Sequence, residues 1–301
     1  MSHAAQTVGI IGIGQLGSPI ADNLMKAGFR VVGYRRTDIQ QFVERGGVAA
    51  ASPAAVAAAA DVLLLCLPGE EASRDALAGP DGVLAGLKPG QPVIELGTYR
   101  KQFKLEQAAL LEGHGARPLE AEVSGSPPMI AARKGALYLG GEAALVETCR
   151  PVLEAIAEKQ FHLGPYGAAV AIKLIANYLL TIHTLAAAEA INMGTRAGFD
   201  PQVVAEVIGQ GAGTSAMFTL RGPMMAARRF TPAPGPFTTL EKYLDLAGAM
   251  ARELGCATPL FEAAAPYFYR GLHSEMAGED ISAVIKLIES DSTPLTPKEP
   301  Q

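Results

Sequence analysis

Cysteine is scarce: Cys66, Cys149 and Cys256 are the only three in 301 residues. Odd in number and widely separated, they exclude a disulfide framework and a clustered thiolate metal site, and they fit a reducing, cytoplasmic setting. The five histidines, His3, His114, His162, His183 and His273, show no metal-ligand spacing, so no metal is expected. Asp and Glu do not fall into the paired arrangement that hydrolases or metal enzymes use. Only 18% of residues are charged, the net charge is −5, and there is no basic run, which argues against a nucleic-acid partner. No apolar stretch reaches about 18 residues uninterrupted. Asp61 breaks one run, and His183 and Glu189 break another, so no membrane-spanning helix is expected. Residues 1–6 lack a basic region and lead straight into an apolar run, so no secretory signal is expected. What remains is a chain that is 49% hydrophobic. At roughly 100–200 residues per domain it is long enough for two, and a small-molecule partner fits it best.

Short β-type runs alternate with helical stretches over residues 1–164. Thr7 to Ile11 reads as a buried strand, followed by a glycine-rich turn, a helix over about residues 16–27 and a stop at Gly28. Arg30 to Tyr34, Val62 to Cys66, Val93 to Glu95 and Arg117 to Glu120 read as further strands, each reached after a helical segment. Strand, crossover helix and strand, repeated, predict an α/β fold: a Rossmann-type doubly wound parallel sheet with helices on both faces. After Gly164 the texture changes. Residues 168–197 predict one long helix, followed by helices starting at Pro201 and over about 240–254, 259–270 and 279–290. The expected organisation is a nucleotide-binding domain over 1–164 and an all-helical substrate and dimerisation domain over 165–290, hinged near Gly164, with a disordered tail over 291–301. Helices this apolar need partners, and a second chain is one source.

Gly12-Ile13-Gly14-Gln15-Leu16-Gly17 follows the first strand and opens a helix. That is the context in which this spacing binds a dinucleotide. Gly12 permits the tight turn, Gly14 lets the backbone approach a pyrophosphate, and Gly17 lets the helix pack close to the strand. The helix terminus then offers its positive end to the phosphate. An NAD-preferring site carries an acidic residue at the end of the second strand. Here that strand ends in Tyr34-Arg35-Arg36-Thr37, and no carboxylate comes before Asp38. Two guanidinium groups suit a 2′-phosphate, so NADP(H) is the expected cofactor and NAD(H) the alternative. Lys173 and Asn177 are four apart near the start of the long helix and share one face. A lysine among Val170, Ile172, Leu174 and Ile175 either snorkels to water or is held at a working site.

Together, the glycine turn, Lys173 with Asn177 and the later helical pattern resemble the β-hydroxyacid dehydrogenases, from about Val8 to Glu289. Tyr34-Arg35-Arg36-Thr37 is similar to the family's Asn-Arg-Thr segment, and Cys66-Leu67-Pro68 to the strand end that borders the cofactor. Thr98 falls where the family has a threonine near the nicotinamide. Glu120-Ala121-Glu122-Val123-Ser124-Gly125-Ser126 resembles its Asp-Ala-Pro-Val-Ser-Gly-Gly substrate loop, and Lys242-Tyr243-Leu244-Asp245-Leu246-Ala247 its Lys-Asp-Leu-x-Leu-Ala motif. The resemblance implies that Lys173 is the general acid/base and that Asn177 positions the substrate. It implies that Ser124 and the Gly125 backbone hold the substrate carboxylate, and that Lys242 lines the cofactor and substrate cleft between the domains.

Glu122 departs from the family's proline, Ser126 from a glycine and Tyr243 from an aspartate. An inward Glu122 would disfavour a dianionic substrate, whereas an exposed one would mean nothing. The expected function is an NADP(H)-dependent oxidoreductase. It would interconvert a small anionic β-hydroxy acid and its semialdehyde or keto form, in a homodimer or homotetramer assembled through the helical domain. Two rivals are an imine reductase or reductive aminase, in which Asp or Tyr generally stands at the place of Lys173, and a non-catalytic NADP-binding sensor or scaffold.

Overall fold

The computed structural model describes residues 6–293. The expectations about the amino-terminal leader and about the tail over 294–301 lie outside the described residues. The chain divides into two compact units, one ending at Lys173 and one starting at Leu174.

In the first unit, β1 (Thr7–Ile11), α1 (Gly17–Lys26) and β2 (Arg30–Tyr34) make the opening strand–helix–strand turn. Then come α2 (Gln40–Glu44), β3 (Val48–Ala49), α3 (Pro53–Ala59), β4 (Val62–Leu65), α4 (Glu70–Ala78) and β5 (Pro92–Glu95). The unit continues with α5 (Lys101–Gly113), β6 (Arg117–Ser124), α6 (Pro127–Ala131), β7 (Ala136–Gly140), α7 (Ala143–Ile156) and β8 (Lys159–His162). The eight strands form one sheet in the order β3-β2-β1-β4-β5-β6-β7-β8. Pairing is parallel from β3 through β6, as the alternating pattern predicts. At β7 it reverses, because β7 runs antiparallel to β6, and β8 is parallel to β7. The order reverses around β1, so the crevice between the ends of β1 and β4 is the switch point at which such sheets bind ligands.

Period-two alternation sends each strand's side chains to two covered faces. Val8, Ile10 and Leu64 pack with Ile20 and Leu24 of α1 and Val146 and Leu153 of α7. Ile11, Leu63 and Leu65 pack on the other side with Val56 and Ala57 of α3 and Leu77 of α4. Each such side chain removed from water contributes about 1.5–3 kcal/mol. That explains why strands so short and so apolar hold their register.

The last segment opens with α8 (Ala168–Arg196). By length and composition α8 is apolar enough to cross a bilayer, which the count of uninterrupted residues did not anticipate. In the second unit, α9 (Pro201–Gly209), α10 (Ala216–Ala226), α11 (Phe237–Glu253), α12 (Pro259–Leu272) and α13 (Ile285–Asp291) follow. Leu185, Ala188 and Ile191 of α8 join Phe218, Phe237, Leu244 and Phe268 in one core.

Residues 279–290 do not form the single helix expected. Asp280 instead caps a short 3₁₀ turn over Ile281–Val284, and α13 starts only after it. The buried Asp280 carboxylate also accepts from Arg221 Nε at 3.1 Å and from the Gly235 amide at 3.0 Å, which fixes where the turn begins. Of the tail expected to be disordered, Asp291 is paired with Arg270. Ser292 accepts from Asn192, and the Thr293 carbonyl accepts from Arg196.

Candidate active site

The glycine turn is stitched between two strand ends. The Gly12 amide donates to the Tyr34 carbonyl at 3.0 Å, and the Cys66 amide to the Ile11 carbonyl at 2.8 Å. Gly12 has φ +101°, and a side chain there would drive its Cβ to 2.1 Å from the Cys66 carbonyl oxygen. A Cβ on Gly17 would come to 2.0 Å from the Gly12 carbonyl. Gly14 is the opposite case, since nothing lies within 4 Å of where its Cβ would be. Two glycines close the turn and the third leaves an open approach to backbone, which a pyrophosphate needs. Gln15 beside it is exposed and Leu16 half-buried. No side chain caps α1 and no carboxylate sits in its first turn, so the positive end of the helix faces that approach. These residues fit a dinucleotide.

Arg35, Arg36 and Thr37 lie exposed just past β2. The first carboxylate after them, Asp38, accepts from the Gln40 amide at 2.9 Å at the start of α2. The strand end thus presents cations where an acidic residue would read a ribose hydroxyl. Past β4, the Leu67 carbonyl accepts from the Tyr99 hydroxyl at 3.0 Å, and Pro68 is exposed. Thr98, just past β5, is buried.

The structure extends β6 through Ser124, so the segment read as a substrate loop is largely strand. Ser124 is its half-buried last residue, and Gly125 follows with φ +153°, a conformation that suits glycine. The fate of Glu122 is thereby settled: it is fully buried, and its charge is spent inside the protein rather than on a substrate.

The largest surprise is the company Glu122 keeps. Lys104 of α5, also fully buried, forms ion pairs with Glu122 and, at 3.0 Å, with Glu120, and donates to the Gly97 carbonyl at 2.8 Å. Thr98 Oγ1 donates to the other Glu122 oxygen at 2.5 Å. Glu120 caps the next helix: its oxygens accept from the amides of Gly167, Ala169 and Val170 at 2.8, 3.0 and 3.1 Å. Glu95 completes the cluster by accepting from the Gly97 amide at 2.7 Å. Two carboxylates, Glu120 and Glu122, converge here on one lysine, and Glu95 lies close enough to feel its charge. Among the described residues no group of His, Cys, Asp and Glu could hold a metal ion.

Burial pushes the Glu122 carboxyl up, and Lys104 pulls it back. Burial alone would lower Lys104, but Glu122, Glu120 and Glu95 outweigh it and hold the ammonium protonated. Glu95 has no such partner at hydrogen-bond distance, and burial pushes its carboxyl up to about 8. Between its ordinary value of 4.5 and about 8, the unfolded chain has lost a proton that the folded chain keeps. This residue's contribution to stability therefore falls as pH rises through that window and levels off above it. Glu95→Gln keeps an acceptor for the Gly97 amide and removes the titration. Its melting temperature should match the wild type near pH 4.5 and exceed it by several degrees at pH 8. Melting curves that stay parallel across the range would contradict this.

Lys173 sits in the second turn of α8, three residues beyond Val170, whose amide Glu120 holds, and is half-buried. Asn177, one turn further along the same helix, is buried and belongs to the second unit. Lys242 lies on α11 of that unit, its ammonium 5.2 Å from the centre of the Tyr243 ring. Tyr243 packs against the helical core.

Comparison with known proteins adds the following. Residues 7–164 match the family model of the NAD-binding domain of 6-phosphogluconate dehydrogenase. Residues 167–288 match that described as the NAD-binding domain of NADP-dependent 3-hydroxyisobutyrate dehydrogenase. The chain is 33% identical over 293 residues to an L-threonate dehydrogenase of Cupriavidus necator, covering 96% of this chain and 98% of that one. Its fold is similar to that of a 3-hydroxyisobutyrate dehydrogenase from Mycobacterium tuberculosis solved with L-serine. The TM-score is 0.85 at 29% identity, over 94% of this chain and 99% of that one. A solved structure of Psf3 in complex with NADP+ and 2-OPP gives a TM-score of 0.84 at 25% identity, over 93% and 99%.

Proposed function

The chain belongs to the β-hydroxyacid dehydrogenase family, and we propose that it is an NADP(H)-preferring oxidoreductase of a small hydroxy acid. Its substrate is a β-hydroxy acid or a related short one, interconverted with the semialdehyde or keto form. That it is a nicotinamide-dependent oxidoreductase follows from the family itself. The finer reading rests above all on one observation: Lys173 stands one turn beyond backbone amides gripped by the buried Glu120, on a helix whose start is fixed.

A nicotinamide held by these residues would supply or take up the hydride. Lys173 handles the proton, giving it to the carbonyl oxygen in reduction and taking it from the hydroxyl in oxidation. Asn177, on the same face of α8, orients that oxygen. Ser124 and the Gly125 backbone hold the carboxylate, and Lys242 adds positive potential that favours an anionic substrate. Gly12, Gly14, Gln15, Leu16 and Gly17 cradle the pyrophosphate, Leu67 and Pro68 border the cofactor, and Arg35, Arg36 and Thr37 take the 2′-phosphate. The names of the relatives, L-threonate dehydrogenase and 3-hydroxyisobutyrate dehydrogenase among them, support a short hydroxy acid. On α8, Ile172, Ile175 and Leu179 are exposed on one side, a surface that assembly into a homodimer or homotetramer would cover.

The test is a steady-state panel of semialdehydes, β-hydroxy acids and cyclic imines with each cofactor, on protein of measured molar mass. The expected outcome is turnover of semialdehydes and hydroxy acids, faster with NADP(H), by a dimer or tetramer. Faster turnover of imines would overturn the substrate class, and cofactor binding without any turnover would favour a sensor. A single-chain mass would remove the assembly.

A further inference from the structure

The hydroxyl of Thr98 has one hydrogen to donate, and that hydrogen is committed. It goes to Glu122 Oε2 at 2.5 Å, while the other oxygen of the same carboxylate is paired with Lys104. Paired with the Lys104 ammonium, Glu122 is a carboxylate and only accepts, so the hydroxyl is the donor. What Thr98 has left are lone pairs, and whatever meets it from outside must donate. The orientation is built to last: Lys104 and Glu122 are both fully buried, and Lys104 is itself fixed by Glu120 and the Gly97 carbonyl. None of this is needed to close the strand, since β6 pairs with β5 and β7 through its backbone.

Thr98 follows β5, two strands from β1 on the side away from β2. A dinucleotide lying across the switch point puts its adenosine half over β2, where Arg35 and Arg36 stand, and its nicotinamide half over β4 and β5. The nicotinamide ring carries a single kind of donor, the amide N–H of its carboxamide. We propose that Glu122, held by Lys104, is a positioning residue that makes Thr98 a pure acceptor for the carboxamide N–H of the bound nicotinamide. This deepens the function proposed above and rests on its cofactor reading. It also gives the unusual glutamate a role in cofactor recognition, since its burial leaves it none in substrate charge selection.

The experiment is calorimetric titration of the protein, without substrate, with NADP+ and with its 3-acetylpyridine analogue, in which a methyl group replaces the amide nitrogen. Wild-type protein should bind the nicotinamide form roughly 5–10-fold tighter, the worth of one good hydrogen bond. In Glu122→Gln the amide oxygen faces Lys104 and its N–H₂ donates to Thr98, which frees the hydroxyl proton to point outward. The preference should then fall to about one or invert. Thr98→Ser should keep the wild-type ratio and Thr98→Val should lose it. Thr98→Val keeps the pairs of Lys104 with Glu120 and Glu122 but takes the donor from Glu122 Oε2, and if it keeps the wild-type ratio the proposal falls even where Glu122→Gln does not fold. A wild-type ratio of one, or a folded Glu122→Gln or Thr98→Val that keeps the wild-type ratio, overturns this proposal alone. Wild-type protein that binds neither dinucleotide overturns the cofactor reading, and this proposal with it.

Discussion

Lys173→Ala should lower kcat by roughly 10²–10⁴, the range that loss of a positioned proton donor costs. NADPH affinity should remain near that of the wild type. The two readouts separate because the residues that fit the dinucleotide belong to the glycine turn and the ends of β2, β4 and β5. Lys173 is on α8, whose first amides are tied to Glu120. Removing the side chain does not disturb that tie, which is made by backbone groups of Gly167, Ala169 and Val170, so the helix start should survive the substitution. Because the lost interaction is one the proton transfer needs, kcat and kcat/KM should fall together rather than KM rising alone. Unchanged kcat would take Lys173 out of the mechanism.

The double substitution Arg35→Ala with Arg36→Ala should weaken NADPH binding by roughly 10²-fold, as expected for losing charge-assisted bonds worth about 1.5–3 kcal/mol each. NADH carries no phosphate at that position, and exposed charges contribute about 0–1 kcal/mol in general, so its affinity should change by no more than about fivefold. Both arginines are exposed and lie beyond the end of β2, so stability should be nearly unaffected. Equal losses for the two cofactors, measured as dissociation constants, would show that the arginines do not read the 2′-phosphate.

Much of the nucleotide-binding architecture was legible in the residues because the signals are local. Thr7–Ile11 and Arg30–Tyr34 are short, largely apolar runs with a glycine within two residues of one end, and both are strands with the boundaries their patterns suggest. Gly12 and Gly17 are forced by close backbone approaches within the turn itself. The misses share a cause. Lys159–His162 has mostly exposed side chains with no apolar alternation, and β7 offers it an edge to pair with. Arg117 to Glu120 reads as a strand, but Glu122 falls in the segment that resembles a substrate loop, and carboxylates in a buried strand are costly unless paired. Their partner, Lys104, lies on α5 among charged and polar neighbours such as Lys101, Gln102 and Glu106. Nothing in the linear order joins residues 95, 104, 120 and 122; only the pairing of β5 with β6 and the packing of α5 do. The available warning was three glutamates inside runs of valine, leucine and isoleucine, which demand a buried cation somewhere. Asp280 is a similar case, a capping aspartate whose partner Arg221 lies 59 positions away.

Single-turnover oxidation of NADPH by a semialdehyde in Lys173→Ala, with and without added ethylamine, tests the proton-transfer role most directly. The expected result is a slow reaction that accelerates in proportion to the amine, which supplies from solution the ammonium the helix has lost. A variant that oxidises NADPH at the wild-type rate with no amine present would contradict it.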